Sequence, residues 1–330
     1  MSALSQAAIA SQTRSGERRL VSPLDPLRPT IFHEEWWLDA ATGGNFDVAE
    51  VTAGGRTVGR LPFHIKSRFG LRVMKMPEMT YFLGPAIDEG GGNPTTRFLK
   101  RLSITGELIE RLPRLPWQYF KCHAGVKDVI AFQERGFRTH VQFTHEVAPQ
   151  PAEVLWQKMR DKTRNVIRRA EEALSVEELN DPLEFIRLFQ RNLELKGFQN
   201  RIDRTFCRQI LAATLQRHRG RILAARGKDN QVVAANFCVW DEASYFYVLS
   251  TRRDDSGNGA GSLLIWEAMK DSARRGLLFD FGGLGVRGSI LFYTGFGGTV
   301  APRYVALRAH PLTRIVRELQ LFLRGESYFY

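Results

Sequence analysis

The chain has 330 residues, 43% hydrophobic and 25% charged. That is the balance of a globular protein, long enough for two domains and able to build a core without disulfides or metals. Its formal net charge of +12 is carried mostly by arginine, which favours an anionic partner such as a nucleotide cofactor, RNA, an anionic glycan or lipid headgroups, without choosing among them. Cys122, Cys207 and Cys238 form no Cys-x-x-Cys pair, and His123, His140 and His145 have no metal-ligand spacing. A disulfide framework and a zinc site are therefore not expected, and these histidines read as structural or exposed. No apolar run of about 20 residues occurs. With a small, polar, basic start and no signal-like stretch, the chain is expected to be cytoplasmic, with residues 1–30 a disordered tail.

In chain order, residues 31–43 predict an opening helix closed by Gly43 and Gly44. Strands follow at 46–51, 56–66 and 71–76, the first two joined by Ala53-Gly54-Gly55. Residues 81–93 read as a Gly-rich loop, and Pro94 opens a helix to about Leu112. A strand at 117–122, a helix at 126–135 stopped by Gly136 and a strand at 137–147 complete this part. Pro149 and Pro151 mark a linker. Beyond it come one helix over 152–174, a strand at 175–179, and helices from Asp181-Pro182 to Lys196 and over 203–218. Strands at 221–226, 232–240 and 244–251 lead into Asp254-Asp255-Ser256-Gly257-Asn258-Gly259-Ala260-Gly261 and a helix over 262–275. A strand at 277–281, a short helix near 289–294, a strand near 303–307 and an amphipathic tail helix from His310 end the chain. The two parts share this element order. They also share a local echo, Phe132 with Gly136 and Tyr293 with Gly297, which points to a duplicated unit.

The Gly257–Gly261 run is the sharpest chemical signal. Between a strand and a helix, glycines let several backbone N–H groups converge, and the helix start adds partial positive charge. This suits a pyrophosphate; a plain flexible turn reads equally well. No Lys-Ser/Thr follows, which argues against a P-loop, and a dinucleotide fold does not fit what comes next. Asp280, in an apolar strand, reads as a cleft base or substrate ligand, or as a buried acid paired with an arginine. On the 152–174 helix, Leu155, Met159, Val166, Ala170 and Leu174 share one face. Lys158, Lys162, Asn165 and Arg169 share a flank, and Arg160, Arg164 and Arg168 another. The basic flank is a solvated face or a surface for an anionic acceptor, which Lys196 and Arg201, flanking the next helix-to-loop passage, could join. The tail helix, with Ile315, Leu319 and Leu323, docks on the domain or touches an anionic membrane surface.

These motifs are similar to those of the GNAT acyltransferase superfamily. Its loop Gln/Arg-x-x-Gly-x-Gly/Ala corresponds to Asp254-Asp255-Ser256-Gly257-Asn258-Gly259, with Arg253 one residue from the leading position. Its Tyr-x-x-x-Gly-Phe corresponds to Tyr293 and Gly297, with Gly298 in the place of Phe. Two such units in tandem resemble the FemAB-like and polysaccharide-biosynthesis acetyltransferases. Lys162 to Ala170, Phe279-Asp280-Phe281-Gly282-Gly283 and Phe292-Tyr293 with Phe296-Gly297-Gly298 carry this likeness over about residues 30–310. The resemblance implies an α/β fold of two tandem GNAT-like domains, each a mixed sheet flanked by helices. The expected boundaries are 31–148 for a degenerate unit, 152–310 for the acyltransferase unit and 311–330 for the tail helix.

The resemblance further implies acyl-CoA, with acetyl-CoA the expected form, as co-substrate and no metal. Ser250, Arg253, Gly257, Asn258, Gly259, Ala260, Gly261 and Ser262 would hold it. Tyr293 would protonate the departing thiolate, with Asp280 as second catalytic candidate, and Lys158, Lys162, Asn165, Arg169 and Lys196 would hold the acceptor. Phe132, at the echo of Tyr293, has no proton to give. The expected reaction is acyl transfer to an amine or hydroxyl of a cell-envelope or polysaccharide-related acceptor. A tRNA-dependent aminoacyltransferase is the alternative; no helical arm of the kind FemAB proteins use for tRNA is visible. A non-catalytic nucleic-acid-binding protein is the third reading and rests on charge alone.

Overall fold

Residues 25–68, 70–195, 202–253, 259–285 and 287–312 are described by a computed structural model. The expected tails before residue 25 and beyond Leu312, the Asp254–Asn258 part of the glycine loop, and Lys196 and Arg201 lie outside them. Residues 25–30 form a turn in which Asp25 accepts a hydrogen bond from the Leu27 N–H at 2.9 Å.

In the part before the prolines, β1 (Asp47–Ala53), β2 (Arg56–Arg68) and β3 (Leu71–Lys75) form an antiparallel meander. The two-residue β4 (Ala86–Ile87) pairs with β2 inside the expected loop. The chain crosses over through α2 (Pro94–Glu110) to β5 (Trp117–Lys121), parallel to β3, and continues through α3 (Ile130–Glu134) to β6 (Arg138–Val147). The second part repeats the scheme. β8 (Gly220–Arg226), β9 (Val232–Trp240) and β10 (Ser244–Arg252) are antiparallel. The crossover helix α8 (Gly259–Arg274) leads to β11 (Leu278–Asp280), parallel to β10, and α9 (Arg287–Tyr293) leads to β12 (Thr299–Ala309). The echo has a common backbone cause: Gly136 and Gly297 take φ of +77° and +76°, a left-handed turn before β6 and β12.

The last strand of each part is exchanged. β12 pairs with β5 and with β6, and β6 pairs with β11, giving one sheet in the order β1-β2-β3-β5-β12-β6-β11-β10-β9-β8-β7, where β7 is Ser175–Leu179. The sheet is mixed and flanked by helices, so the α/β class is as expected. It runs unbroken past the proline linker.

The cores cross over as well. A 3-10 turn at Ile31–His33 precedes α1 (Glu35–Thr42), so the expected opening helix is interrupted at Glu34, whose ψ is +135°. Ile31, Phe32 and Trp37 are fully buried in one cluster with Phe185 of α6 (Pro182–Leu195), Ile210 of α7 (Arg204–Gln216) and Phe237 of β9. Each such side chain contributes about 1.5–3 kcal/mol by leaving water. The opening helix of the first part thus seals one face of the second.

The helix predicted over 152–174 is two helices, α4 (Ala152–Lys158) and α5 (Asp161–Ala173). Met159 and Arg160 are extended, with ψ of 150° and 143°, and the Arg160 N–H donates to the Gly295 carbonyl at 3.0 Å. The break resets the phase. Ile167 is fully buried where Val166 was expected, and Lys158 no longer shares a helical flank with Lys162, Asn165 and Arg169. The helix expected over 126–135 shortens to α3, and the last strand extends from 303–307 to 299–309.

Candidate active site

The site begins where two parallel strands part. β10 pairs with β11 only through Ser244, Tyr245 and Phe246. Beyond Asp280 the chain follows β6 instead, with Phe281 N–H on the His145 carbonyl at 3.0 Å and Leu284 N–H on the Phe143 carbonyl at 2.8 Å. From Tyr247 onward β10 has, among the described residues, no strand on that side. Its register with β9 also shifts between Tyr247 and Leu249, which kinks the strand as a bulge does.

A cavity of about 530 Å³ opens at this divergence. Strand alternation sorts its walls into two sides. Ser250 stands opposite Asn236 on the side of α8 and α9, with Tyr247, Gly261, Leu264, Phe292 and Tyr293. Thr251 stands opposite Ala235 on the side of α6, where Asn192 donates to its hydroxyl at 2.9 Å and Phe189 adds an aromatic wall.

Tyr293 ends α9 with its ring 4.5 Å from Phe281 and 6.1 Å from Tyr247, centre to centre. Burial raises the phenol above its ordinary value of 10, so it is protonated at neutral pH and able to give a proton. Tyr247 is raised well above 10 by burial, partly offset by its hydrogen bond with Ser250. The first part reaches in as well. Tyr81 lies on Gly282, whose φ of +79° and lack of a Cβ make room for the ring, and its hydroxyl donates to the carbonyl of Val248 at the bulge.

Of the residues expected to hold a donor, Ser250 and Gly261 line the cavity. Gly257 and Asn258 lie outside the described residues. Gly259 has a packing role: a Cβ there would meet that of Ala170 on α5 at 3.4 Å. Ala260 and Ser262 are buried in the first turn of α8. Arg253 faces a separate groove of about 770 Å³ with Arg187, Arg191 and Arg226.

Asp280 does not line the cavity. It is 1% exposed, and its carboxylate accepts from the Thr144 hydroxyl, from the Gly282 N–H at 2.7 Å and from Arg303 at 2.9 Å. Burial raises its pKa, against the pull of Arg303, Thr144 and Gly282. These partners are in or beside β6, β11 and β12, so the acid sits in the strand exchange. Beside it, burial lowers Lys121 to about 8. Lys158, Lys162, Asn165 and Arg169 are exposed on α4 and α5 and do not line the cavity. Lys158 donates to Gln150 at 2.7 Å, and Asn165 accepts from Arg168 at 3.3 Å.

The corresponding place in the first part is smaller, a cavity of about 200 Å³ lined by Glu89, Arg101 and Asp128. Asn93 caps α2 by accepting from the Thr96 N–H at 2.8 Å. Asp88 accepts from the Gly90 N–H at 3.0 Å, and Glu89 stands nearby, paired with Arg101 at 2.6 Å. Acids at a capped helix start disfavour a phosphate. Phe132 is fully buried between Phe120 and Phe137.

Comparison with known families agrees with this geometry. Residues 157–289 match the acetyltransferase (GNAT) domain family. Over these residues the chain is similar to a GNAT domain. The matched segment holds α5 to α8 and β7 to β11, hence most of the cavity wall, and ends just before Tyr293. No curated protein sequence matches the chain.

Solved structures extend the likeness to nearly the whole chain. FemX is 12% identical, with 86% of this chain and 93% of that one covered and a TM-score of 0.65. The C-terminal domain of a putative lysylphosphatidylglycerol synthetase from Agrobacterium fabrum is 13% identical, with 90% and 96% covered and a TM-score of 0.58. L-PGS from Bacillus licheniformis is 12% identical, with 84% and 89% covered and a TM-score of 0.51. At such identities the likeness is one of fold: the segment similar to a GNAT domain lies within a fold like that of FemX. Among the described residues no cluster of His, Cys, Asp or Glu is placed to hold a metal ion, and no helix is long and apolar enough to cross a membrane.

Proposed function

We propose that the protein transfers an acyl group from acyl-CoA to an amine or hydroxyl of an acceptor. One observation carries this reading: the cavity at the β10–β11 divergence joins the first turns of α8, at Gly261, to the protonated phenol of Tyr293. The donor's pyrophosphate would sit at the glycine loop and the start of α8, where backbone N–H groups and the helix dipole favour negative charge. Its thioester would lie along the unpaired edge of β10. The acceptor's nitrogen or oxygen adds to the thioester carbon, and β10 N–H groups stabilise the oxyanion. The carbon–sulfur bond then breaks. Tyr293 gives its proton to the thiolate, and the proton lost by the acceptor restores it through solvent.

A cell-envelope or polysaccharide-related acceptor, an acetyl donor and a cytoplasmic setting remain part of this proposal. The α6 side of the cavity, with Asn192 and Thr251, is the acceptor's entry. Lys162, Asn165 and Arg169 stand on α5, the helix against which Gly259 packs. They are offered to an anionic acceptor, or to the donor's phosphates. The arginine groove supports a second reading, a tRNA-borne aminoacyl donor, because it adjoins the cavity at Asn192 and is lined by four arginines.

Thermal-shift measurements with CoA, acetyl-CoA and total tRNA separate the readings. CoA and acetyl-CoA are expected to raise the melting temperature and tRNA to leave it unchanged. A shift with tRNA alone selects the second reading, and no shift with any of them contradicts both.

A further inference from the structure

Asn236 interrupts an apolar strand, Val232-Val233-Ala234-Ala235-Asn236-Phe237-Cys238-Val239-Trp240. It is 1% exposed, and among the described residues neither its Nδ2 nor its Oδ1 has a hydrogen-bond partner. Buried amides are almost always paired, since an unmet donor and acceptor forfeit the hydrogen bonds water gave them. A valine or leucine would suit this strand better. The amide nevertheless lines the 530 Å³ cavity.

We propose that Asn236 recognises a polar group on the acyl donor, one that donates and accepts hydrogen bonds side by side. This rests on the donor reading above. The side of the sheet decides which substrate meets Asn236. Its register partner is Ser250, and both project toward α8 and Tyr293, where the donor enters. The acceptor's side is marked by Thr251 and Asn192, one residue on and across the strand. The argument holds for either orientation of the amide, because both of its ends are unpaired. A hydrocarbon placed against Asn236 would leave both ends unmet, so selectivity against it follows.

Two parts of the donor carry this chemistry: an amide of the pantetheine arm, present in every acyl-CoA, and a hydroxyl or amide on the acyl chain. Asn236→Leu keeps the volume and removes the hydrogen bonds. Its melting temperature without ligand is expected to equal or exceed that of the wild type. Calorimetry with 3′,5′-ADP, CoA, butyryl-CoA and 3-hydroxybutyryl-CoA reads the rest, and 3′,5′-ADP is expected to bind both proteins equally. If Asn236 meets the pantetheine amide, the variant binds CoA about tenfold more weakly. If it meets the acyl chain, CoA binding is unchanged, and the wild type's preference for 3-hydroxybutyryl-CoA over butyryl-CoA disappears in the variant. A folded variant that binds all four as the wild type does overturns the proposal and leaves Asn236 holding a water. A wild type that binds neither 3′,5′-ADP nor CoA removes the donor reading, and this proposal with it.

Discussion

Tyr293 is held by its ring, and on the proposed reading its hydroxyl is the proton donor. Phe281 and Tyr247 fix the plane, and no described residue forms a hydrogen bond with the phenol. Tyr293→Phe therefore keeps the packing and removes the proton. Turnover is expected to fall about 10²-fold or more, the scale of general acid catalysis, while calorimetry shows CoA affinity nearly unchanged. Full turnover in the variant would mean that water or another group protonates the thiolate. Single residues were unequally legible in the sequence. Tyr293 and Gly261 stood in short motifs whose spacing carries their meaning. Asn236 offered a signal of another kind, a lone amide in an apolar strand, which periodicity marks only as buried. Tyr81 offered none, because its partner Val248 is 167 positions away. Asp280 was readable as a buried acid, but its arginine, Arg303, was one among many.

Elements were legible where local chemistry sets their ends. Asn93 and Pro94 start α2, and Gly43 ends α1 with φ of +64°. The break between α4 and α5 has no Pro or Gly to announce it, since it is imposed by the distant Gly295 carbonyl. β12 starts at Thr299, ahead of the predicted 303, with Pro302 inside it. Pro302 is accommodated because β12 pairs with β5 only from Val305 onward, so no strand needs its missing N–H on that edge.

One pH dependence belongs at this scale. His33 ends the 3-10 turn and His123 follows β5, with ring centres 5.1 Å apart and both buried. Burial lowers His123 to about 4 and His33 well below 6.5, and their mutual repulsion lowers His33 further. Unfolded histidine takes up a proton near 6.5, so the folded state binds fewer protons between about 6.5 and 4. Stability is expected to be full above that window and to fall as pH drops through it. Urea midpoints at pH 7 and pH 5 read this directly. His123→Gln should lessen the drop, and an unchanged drop would place the acid sensitivity elsewhere.

At the scale of the whole molecule, the two parts are bound by exchange of their last strands and by the opening helix packed on α7. The duplication was legible as an element order; the exchange was not, because no local feature of β6 or β12 says which neighbour it joins. Arg303 marks the crossing. It is 4% exposed, pairs with Asp280 and Glu146, and lies over Phe82 at 4.9 Å. Arg303→Met strands the buried Asp280 and the half-buried Glu146 and is expected to cost about 3–5 kcal/mol in chemical denaturation. Adding Asp280→Asn should recover part of that loss. A near-neutral Arg303→Met would show that the crossing is held by its apolar neighbours alone.

On the proposed reading the second part binds an acyl-CoA donor and the first does not. Calorimetric titration of CoA into the wild type, Gly261→Val and Gly91→Val tests it. A Cβ at Gly261 would approach nothing closer than Phe292, at 3.9 Å, and one at Gly91 meets nothing within 4 Å, so both variants should fold. Gly261→Val, which fills the cavity at the start of α8, is expected to abolish CoA binding, while Gly91→Val is expected to bind as the wild type does. CoA binding retained in a folded Gly261→Val, or lost in Gly91→Val, would contradict it.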